Sequence, residues 1–553
     1  MKLAHISPKI IECFKKGYTL SDFRKDLVAG CTVGIVAVPL ASAFAIASGL
    51  PPERGFFTAI VAGFFISLLG GSRFQIGGPT GAFVVIVYGI VAQSGYSGLV
   101  LATLLAGVFL IIFGYTRLGS YIKFIPYPVV VGFTAGIAVI LFSTEIKDFL
   151  GLEMGDVPAA FIDKCTAYAG AIGTVNPWAA GTALCTVLTI LLVRKKLRKI
   201  PAHVFAVVTV TLLVFIFNIP VETIGSKFGE LPKSLPAPVL PEFSWATLNR
   251  VLPAALTIAL LAAIESLLSA VVADSMTGDR HSSDTELVGQ GVGNIMSAIF
   301  GGIPATGAVA RTVTNIKAGG RTPVAGMIHA VVLLLFILFC GGAVEKIPMA
   351  AIAGMLAVIS WDMFDYKRFF EFIKAPKSDM TVMLIAFFLT VLIDITVAVE
   401  VGVIMAALIF MKRMSEVTTL DVMTSEGHLI YDPDDTAHKD VPDGVGVYEI
   451  NGPFFFGAAD KLINALESIA QVPGIIILRM RKVPAMDSTG LHALETFLHT
   501  CEHNGVTLIL SGVKDQPYKV IKRSGLLKQI GENNVTNHID KALTRAREVL
   551  DSK

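Results

Sequence analysis

Two short stretches put helix-breaking residues where apolar runs call for plain helix. "QIGGPTGAF" (75–83) packs three glycines and a proline into residues 77–81 and leaves Thr80 at the break. "GGIPATGAVART" (301–312) again sets Gly and Pro ahead of a threonine, Thr306. Each reads as an extended entrance to a short helix that the threonine opens. A helix N-terminus exposes unsatisfied N–H groups and the positive end of the dipole, so it attracts anions. Arg311 follows Thr306 by five residues and adds a full cation; the alternative is that the short helix ends near the cytoplasm and Arg311 snorkels there. In "AIESLLSAVVAD" (263–274), Glu265 is a lone carboxylate in an apolar run, with Ser269 one turn on along the same face. Such a carboxylate must be paired, hydrated or protonated. It is read as carrier of a coupling proton, with a Na⁺ site made with Ser269 as the rival and a static ion pair to Arg311 as the third reading. No nucleophile–base pairing or phosphate loop stands out, and the six cysteines form no metal-ligand spacing. The chemistry is that of binding and moving ions; no catalytic residue, metal or cofactor is expected.

The elements that must position these residues are membrane helices. Of 553 residues 54% are hydrophobic and 16% charged, with mean hydropathy +0.69, against about 25% charged in a soluble domain. After a polar segment, 1–26, apolar runs follow one another over 27–411. Fourteen spans are read near 27–49, 54–70, 79–92, 98–116, 126–146, 178–193, 201–217, 251–275, 286–301, 306–318, 322–341, 348–361, 379–393 and 396–411. With the N-terminus inside, the inner loops hold Arg73, Arg117, Lys123, Arg194, Lys195, Lys196, Arg198, Lys199, Arg280, Lys317, Arg321, Lys367, Arg368, Lys374 and Lys377. The outer ones hold about half as many, including Lys164, Lys227 and Lys233, which sets both termini in the cytoplasm. Thr80 lies in the third span and Thr306 in the tenth. Seven spans apart means opposite directions, a 7+7 inverted repeat whose two broken helices face each other at mid-membrane. The tail beyond 412 reads as soluble: a linker and first part of the tail over 412–443, then from 444 to 553 βαβ rhythm in "VGVYEI", "ADKLINALESIA", "GIIILRM", "LHALETFLHT" and "VTLILSG".

These residues resemble the SulP anion transporters, in "DLVAGCTVGIVAVPLASAFAIASGL" (26–50), "GGSRFQIGGPTGAFVV" (70–85), "VGFTAGIAVI" (131–140), "AIESLLSAVVADSMTG" (263–278), "ELVGQGVGNI" (286–295), "GGIPATGAVART" and "VAVEVGV" (397–403). The likeness runs in order over nearly the whole chain and is strongest to bacterial members. It implies a core domain that carries the site and moves as an elevator against a dimerising gate domain. By motif position it implies a pocket of Phe44, Thr80, Gly81, Ala310 and Arg311. Leu40 and Ala310 stand where many animal members have glutamine and serine, which puts transfer of halide or sulfate selectivity in doubt. The family's cyanobacterial bicarbonate transporters have aspartate and threonine where this chain has Glu265 and Ser269, which favours H⁺ over Na⁺ here. The tail resembles the STAS domain, with "AMDSTGLHAL" (485–494) as its signature loop. A hydroxyl of that loop is phosphorylated in the antagonists of that family, matching Ser488 or Thr489; capping of the next helix by Asp487 and Ser488 is preferred here. The expectation is a secondary active transporter of sulfate, bicarbonate or a C4-dicarboxylate. It would be a homodimer in the bacterial inner membrane, among lipid, with a cytoplasmic STAS domain and no nucleic-acid partner. The remaining alternatives are a Na⁺-coupled bicarbonate transporter, an exchanger or a channel-like conductor.

Overall fold

The computed structural model describes residues 6–119, 127–155, 157–158, 160–197, 201–232, 234–238, 244–393, 395–417, 419–422, 440–455 and 473–552. Lys123, Arg198, Lys199 and Lys233, and the helix expected over 459–470, lie outside them. The chain divides into two compact units, Met1–Ile404 and Met405–Lys553.

Fourteen spans are present among the described residues: Leu20–Ala47, Pro52–Leu69, Gly81–Tyr115, Tyr127–Leu150, Pro177–Lys196, Ala202–Ile216, Trp245–Thr277, Ser283–Ile299, Val309–Lys317, Val324–Glu345, Met349–Phe364, Lys377–Leu392 and Ile395–Val417. Gly81–Tyr115 counts as two, because Gly95 (φ 68°, ψ −176°) interrupts it in a conformation only glycine adopts freely. Local sequence sets the helix starts. Thr19 and Asp22 form a capping box on the first span, Asn176 caps the sixth, and Pro52 and Pro177 occupy first-turn positions where no N–H is needed. Because lipid tails are as apolar as leucine, helices in a bilayer associate by close packing of small residues. Gly107 of the fourth span and Gly291 of the ninth show how close: a Cβ on either would lie 2.6 Å from the other's carbonyl oxygen.

The centre of this unit is a two-stranded crossing. β1 (Gly77–Gly78) precedes the third span and β2 (Thr306–Gly307) precedes the tenth. They run antiparallel, Gly77 opposite Gly307 and Gly78 opposite Thr306, as two halves of opposite direction require. Thr306 does not open the tenth helix, contrary to the sequence reading. It belongs to β2, and the helix begins at Val309 after Ala308.

Extended backbone at membrane depth needs a partner for each polar group, since an orphan costs several kcal/mol. Polar side chains of neighbouring spans supply many of them. Asn294 accepts from the Ala305 N–H and donates to its carbonyl, both at 2.9 Å. Thr58 and Ser297 serve Ile303, Asn315 donates to the Phe74 carbonyl, and the Thr312 hydroxyl accepts from the Ile76 N–H at 3.1 Å. A further link is backbone to backbone, from the Ala308 N–H to the Ile76 carbonyl. An apolar helix bundle therefore carries a buried polar belt whose purpose is to hold two non-helical segments.

The second unit is a five-stranded sheet in the order β3 (Thr419–Val422), β4 (Val445–Asn451), β5 (Ile475–Lys482), β6 (Thr507–Ser511), β7 (Val535–Thr536). β3 is antiparallel to β4 and the other pairs are parallel. Alternate residues of β5 feed two cores: Ile476, Leu478 and Met480 pack with Leu494, Phe497 and Ile521, while Ile475 and Ile477 pack with Ile539, Leu543 and Ala546. Both faces are thus covered by helices, which accounts for the unbroken apolar run in "GIIILRM".

Candidate functional site

The third and tenth helices start at one cavity of about 580 Å³. Phe44 of the first span, Thr80 and Gly81 of the third, Glu265 of the eighth, and Ala310 and Arg311 of the tenth all line it. Neither helix N-terminus is capped by a side chain, and residues of both first turns line the cavity. The rest of the wall is largely apolar, with Val36, Leu40, Phe133, Ile264 and Met363. A few polar groups in an apolar cavity are what a small-ligand site needs. Gly81 is also a spatial requirement: a Cβ there would stand 3.1 Å from Met363 Sδ and 3.3 Å from the Phe44 ring.

The charged groups are held separately. Arg311 is 2% exposed; its Nη2 donates to the Pro79 carbonyl at 2.5 Å, and its Nη1 is buried against Gly78 without a hydrogen-bond partner. No carboxylate pairs with it among the described residues, so the guanidinium stands as an uncompensated cation beside the start of the third span. Glu265 is half-buried and accepts from the Thr80 hydroxyl at 3.0 Å. The static Glu265–Arg311 pair considered from sequence is not formed; each group is tied instead to the 79–80 turn.

Ser269 is not brought into this set. It is fully buried and its hydroxyl donates at 3.2 Å to Thr312 Oγ1, the same oxygen that accepts from the Ile76 N–H. Its neighbour Ser266 lies on the crossing too, 2.7 Å from Thr306 Oγ1 and accepting from the Gly307 N–H. In this structure Ser269 supports the strands and takes no part in the cavity wall.

Sequence reading missed the opposite wall. Val129, Phe133 and Thr134 of the fifth span, His203 of the seventh, and Ile359 and Asp362 of the twelfth face the helix starts. Arg194 binds Asp362 through Nη1 and Nη2, and its Nη2 also reaches His203. Asp362 lies 168 positions from Arg194 in sequence, and Arg194 reads there as one of a run of inner-loop cations. In the second unit, Asp487 caps the helix Ser488–His503 by accepting from the Gly490 N–H at 2.7 Å. Ser488 is the first helical residue, exposed, rather than a second cap; Thr489 is half-buried.

An uncompensated cation, two uncapped helix starts and a carboxylate around one cavity in a fourteen-span bundle suit a membrane protein that binds small anions. The sequence matches the sulfate permease family over residues 23–386 and the STAS domain over 436–542. The chain belongs to the sulfate permease family. It is 42% identical to the Bacillus subtilis protein named "Putative sulfate transporter YvdB", covering 95% of this chain and 98% of that one. It is 32% identical to the bicarbonate transporter BicA of Picosynechococcus, covering 95% of each. Among solved structures, the transmembrane domain of a cyanobacterial BicA is 34% identical, with TM-score 0.62, over 70% of this chain and 98% of that one. The murine solute carrier 26 family member A9 shares the fold with TM-score 0.85 at 18% identity, covering 98% and 94%. These relatives are named as transporters, not enzymes.

Proposed function

We propose that this protein is a secondary active transporter of sulfate, bicarbonate or a C4-dicarboxylate that binds its substrate between the starts of the third and tenth spans and couples its movement to protons at Glu265. The observation that carries the reading is the buried, unpaired Arg311 beside two helix N-termini without side-chain caps, all on one cavity. An anion there would take hydrogen bonds from N–H groups near Gly81 and Ala310, packing from Phe44, and charge from Arg311. Similarity to proteins named as sulfate and bicarbonate transporters supports the substrate class.

Proton coupling draws support from the Thr80–Glu265 contact. Glu265 reaches the substrate cavity with one hydroxyl donor and no cation, so a proton is the simplest way to neutralise it. Na⁺ coupling with Ser269 as second ligand is the alternative; the Ser269 hydroxyl is engaged with Thr312 instead. The residues proposed to bind come from the first, third, eighth and tenth spans, and the facing wall from the fifth, seventh and twelfth. That division suits elevator movement of one set past the other. The basic-loop asymmetry favours cytoplasmic termini and STAS domain, in an inner-membrane homodimer, with residues 27–411 as the transport domain and 444–553 as the bulk of the STAS domain. Ser488 and Thr489 remain the positions where phosphorylation of that domain would act.

The test is uptake of labelled sulfate, bicarbonate and succinate into proteoliposomes, with pH and Na⁺ gradients imposed separately. Accumulation driven by outside acid, independent of Na⁺ and lost in Glu265→Gln, is expected. Accumulation that needs Na⁺ and ignores pH overturns the proton assignment; uptake of none of the three overturns the substrate class.

A further inference from the structure

The cavity wall that faces the helix starts carries a second carboxylate, Asp362, in addition to Glu265. An unpaired anion there would oppose every substrate that Arg311 attracts. Arg194, from the end of the sixth span, meets it in a two-pronged contact, Nη1 to Oδ1 at 3.0 Å and Nη2 to Oδ2 at 2.6 Å. The Arg194 side chain does not itself line the cavity; it lies behind Asp362, against an adjacent apolar groove. Its Nη2 also lies 3.0 Å from His203 Nε2. A guanidinium only donates, so that ring nitrogen accepts, which places the His203 proton on Nδ1 and keeps the ring neutral.

We infer that Arg194 sets the charge of the anion cavity: it cancels Asp362 from behind, so that once Glu265 carries its proton the net charge an arriving substrate meets is that of Arg311. Arg194 is a positioning residue that never touches the anion, and its effect depends on the anion's charge. Coulomb energy is proportional to the charge of the ligand. Uncovering one negative charge therefore weakens a divalent anion by the square of the factor by which it weakens a monovalent one, for example about threefold for bicarbonate and about ninefold for sulfate. A purely mechanical clamp between the sixth, seventh and twelfth spans would lower both affinities by a similar factor. The inference rests on the anion site proposed above, and it adds the origin of the preference between single and double charge.

The experiment measures equilibrium binding of sulfate and of bicarbonate to the full-length purified protein: wild type, Arg194→Ala, Asp362→Asn, and the Arg194→Ala/Asp362→Asn pair. Failure of the wild type to bind either anion, or succinate titrated in the same way, rejects the proposed function itself. Given wild-type binding, Arg194→Ala is expected to show the squared relation, and the double variant to return to within about twofold of wild type, because cavity charge is restored without the contact. Asp362→Asn, with the full Arg194 charge exposed, is expected to strengthen binding, again more for sulfate. If Arg194→Ala does not fold, Asp362→Asn alone decides by that sign. If only one anion binds, recovery in the double variant decides. Equal losses for both anions, a double variant as weak as Arg194→Ala, or weaker binding by Asp362→Asn would overturn the inference.

Discussion

The third and tenth spans both begin beside the tripeptide Thr-Gly-Ala, at 80–82 and 306–308, and they use its threonine in different ways. Thr306 is fully buried, donates to the Ala262 carbonyl at 3.0 Å and shares a hydrogen bond with Ser266. Thr80 sits at the cavity edge, opens its helix at the next residue, and gives its hydroxyl to Glu265. The tenth segment adds the cation, Arg311; the third adds the close approach at Gly81. One half of the repeat is anchored to scaffold by its threonine, and the other has that group free for an ionisable partner. Two opposed copies of one motif can thus supply a fixed floor and a responsive edge to the same site.

The most severe break in the comparison is removal of the cation. Arg311→Ala is expected to weaken binding of a divalent anion by more than about thirtyfold, the loss associated with truncating a buried hydrogen-bonded charge; titration of the purified protein measures it. Next come the two threonines. Thr306→Val strands buried partners and should cost about 1–3 kcal/mol of stability, seen as a lower melting temperature, with anion affinity unchanged in the folded fraction. Thr80→Val should leave the melting temperature nearly unchanged and alter the pH profile of uptake, because it removes the hydrogen-bond donor to Glu265. Reversal of that pattern between the two sites would mean that the division between anchor and edge is wrong.

Smaller effects sharpen the same distinction. Ser269→Ala removes one hydrogen bond to the crossing and should cost about 1 kcal/mol, with no change in the dependence of transport on Na⁺. Strong Na⁺ dependence in the wild type that disappears in Ser269→Ala would make Ser269 a cation ligand after all. In the STAS unit, Asp487→Ala should cost about 1 kcal/mol as loss of an N-cap. Ser488→Ala should cost less, since its side chain caps nothing.

The span count and the facing broken helices were legible because the signals are local: apolar runs set the spans, and Gly-Pro breaks before Thr80 and Thr306 mark where helix stops. Arg311 and Glu265 stood out because charge inside an apolar run is costly. Less legible were relations across the fold. Residues 306 and 307 read as the start of a helix by analogy with Thr80, whereas β-pairing to Gly77 and Gly78 keeps them extended to Ala308. Ser269 shares a helical face with Glu265 in the sequence pattern, yet Thr312 claims its hydroxyl through packing of the eighth span on the tenth. Arg194 and Asp362 meet only because the sixth and twelfth spans end side by side, which no spacing in the chain reveals. Phe44, Gly81 and Ala310 are lining residues that family motifs, rather than their chemistry, pointed out.

The central claim is that the anion sits at the two helix starts, and its position can be seen directly. The transported anion is replaced by a heavy-atom analogue, selenate for sulfate or bromosuccinate for a C4-dicarboxylate, and located by anomalous scattering in crystals of the wild-type protein. The expected peak lies between the backbone nitrogens of Gly81 and Ala310, within reach of the Phe44 ring and on the Arg311 side of the cavity. A peak outside this cavity, or one that persists there at the same strength in Arg311→Ala, would contradict the account.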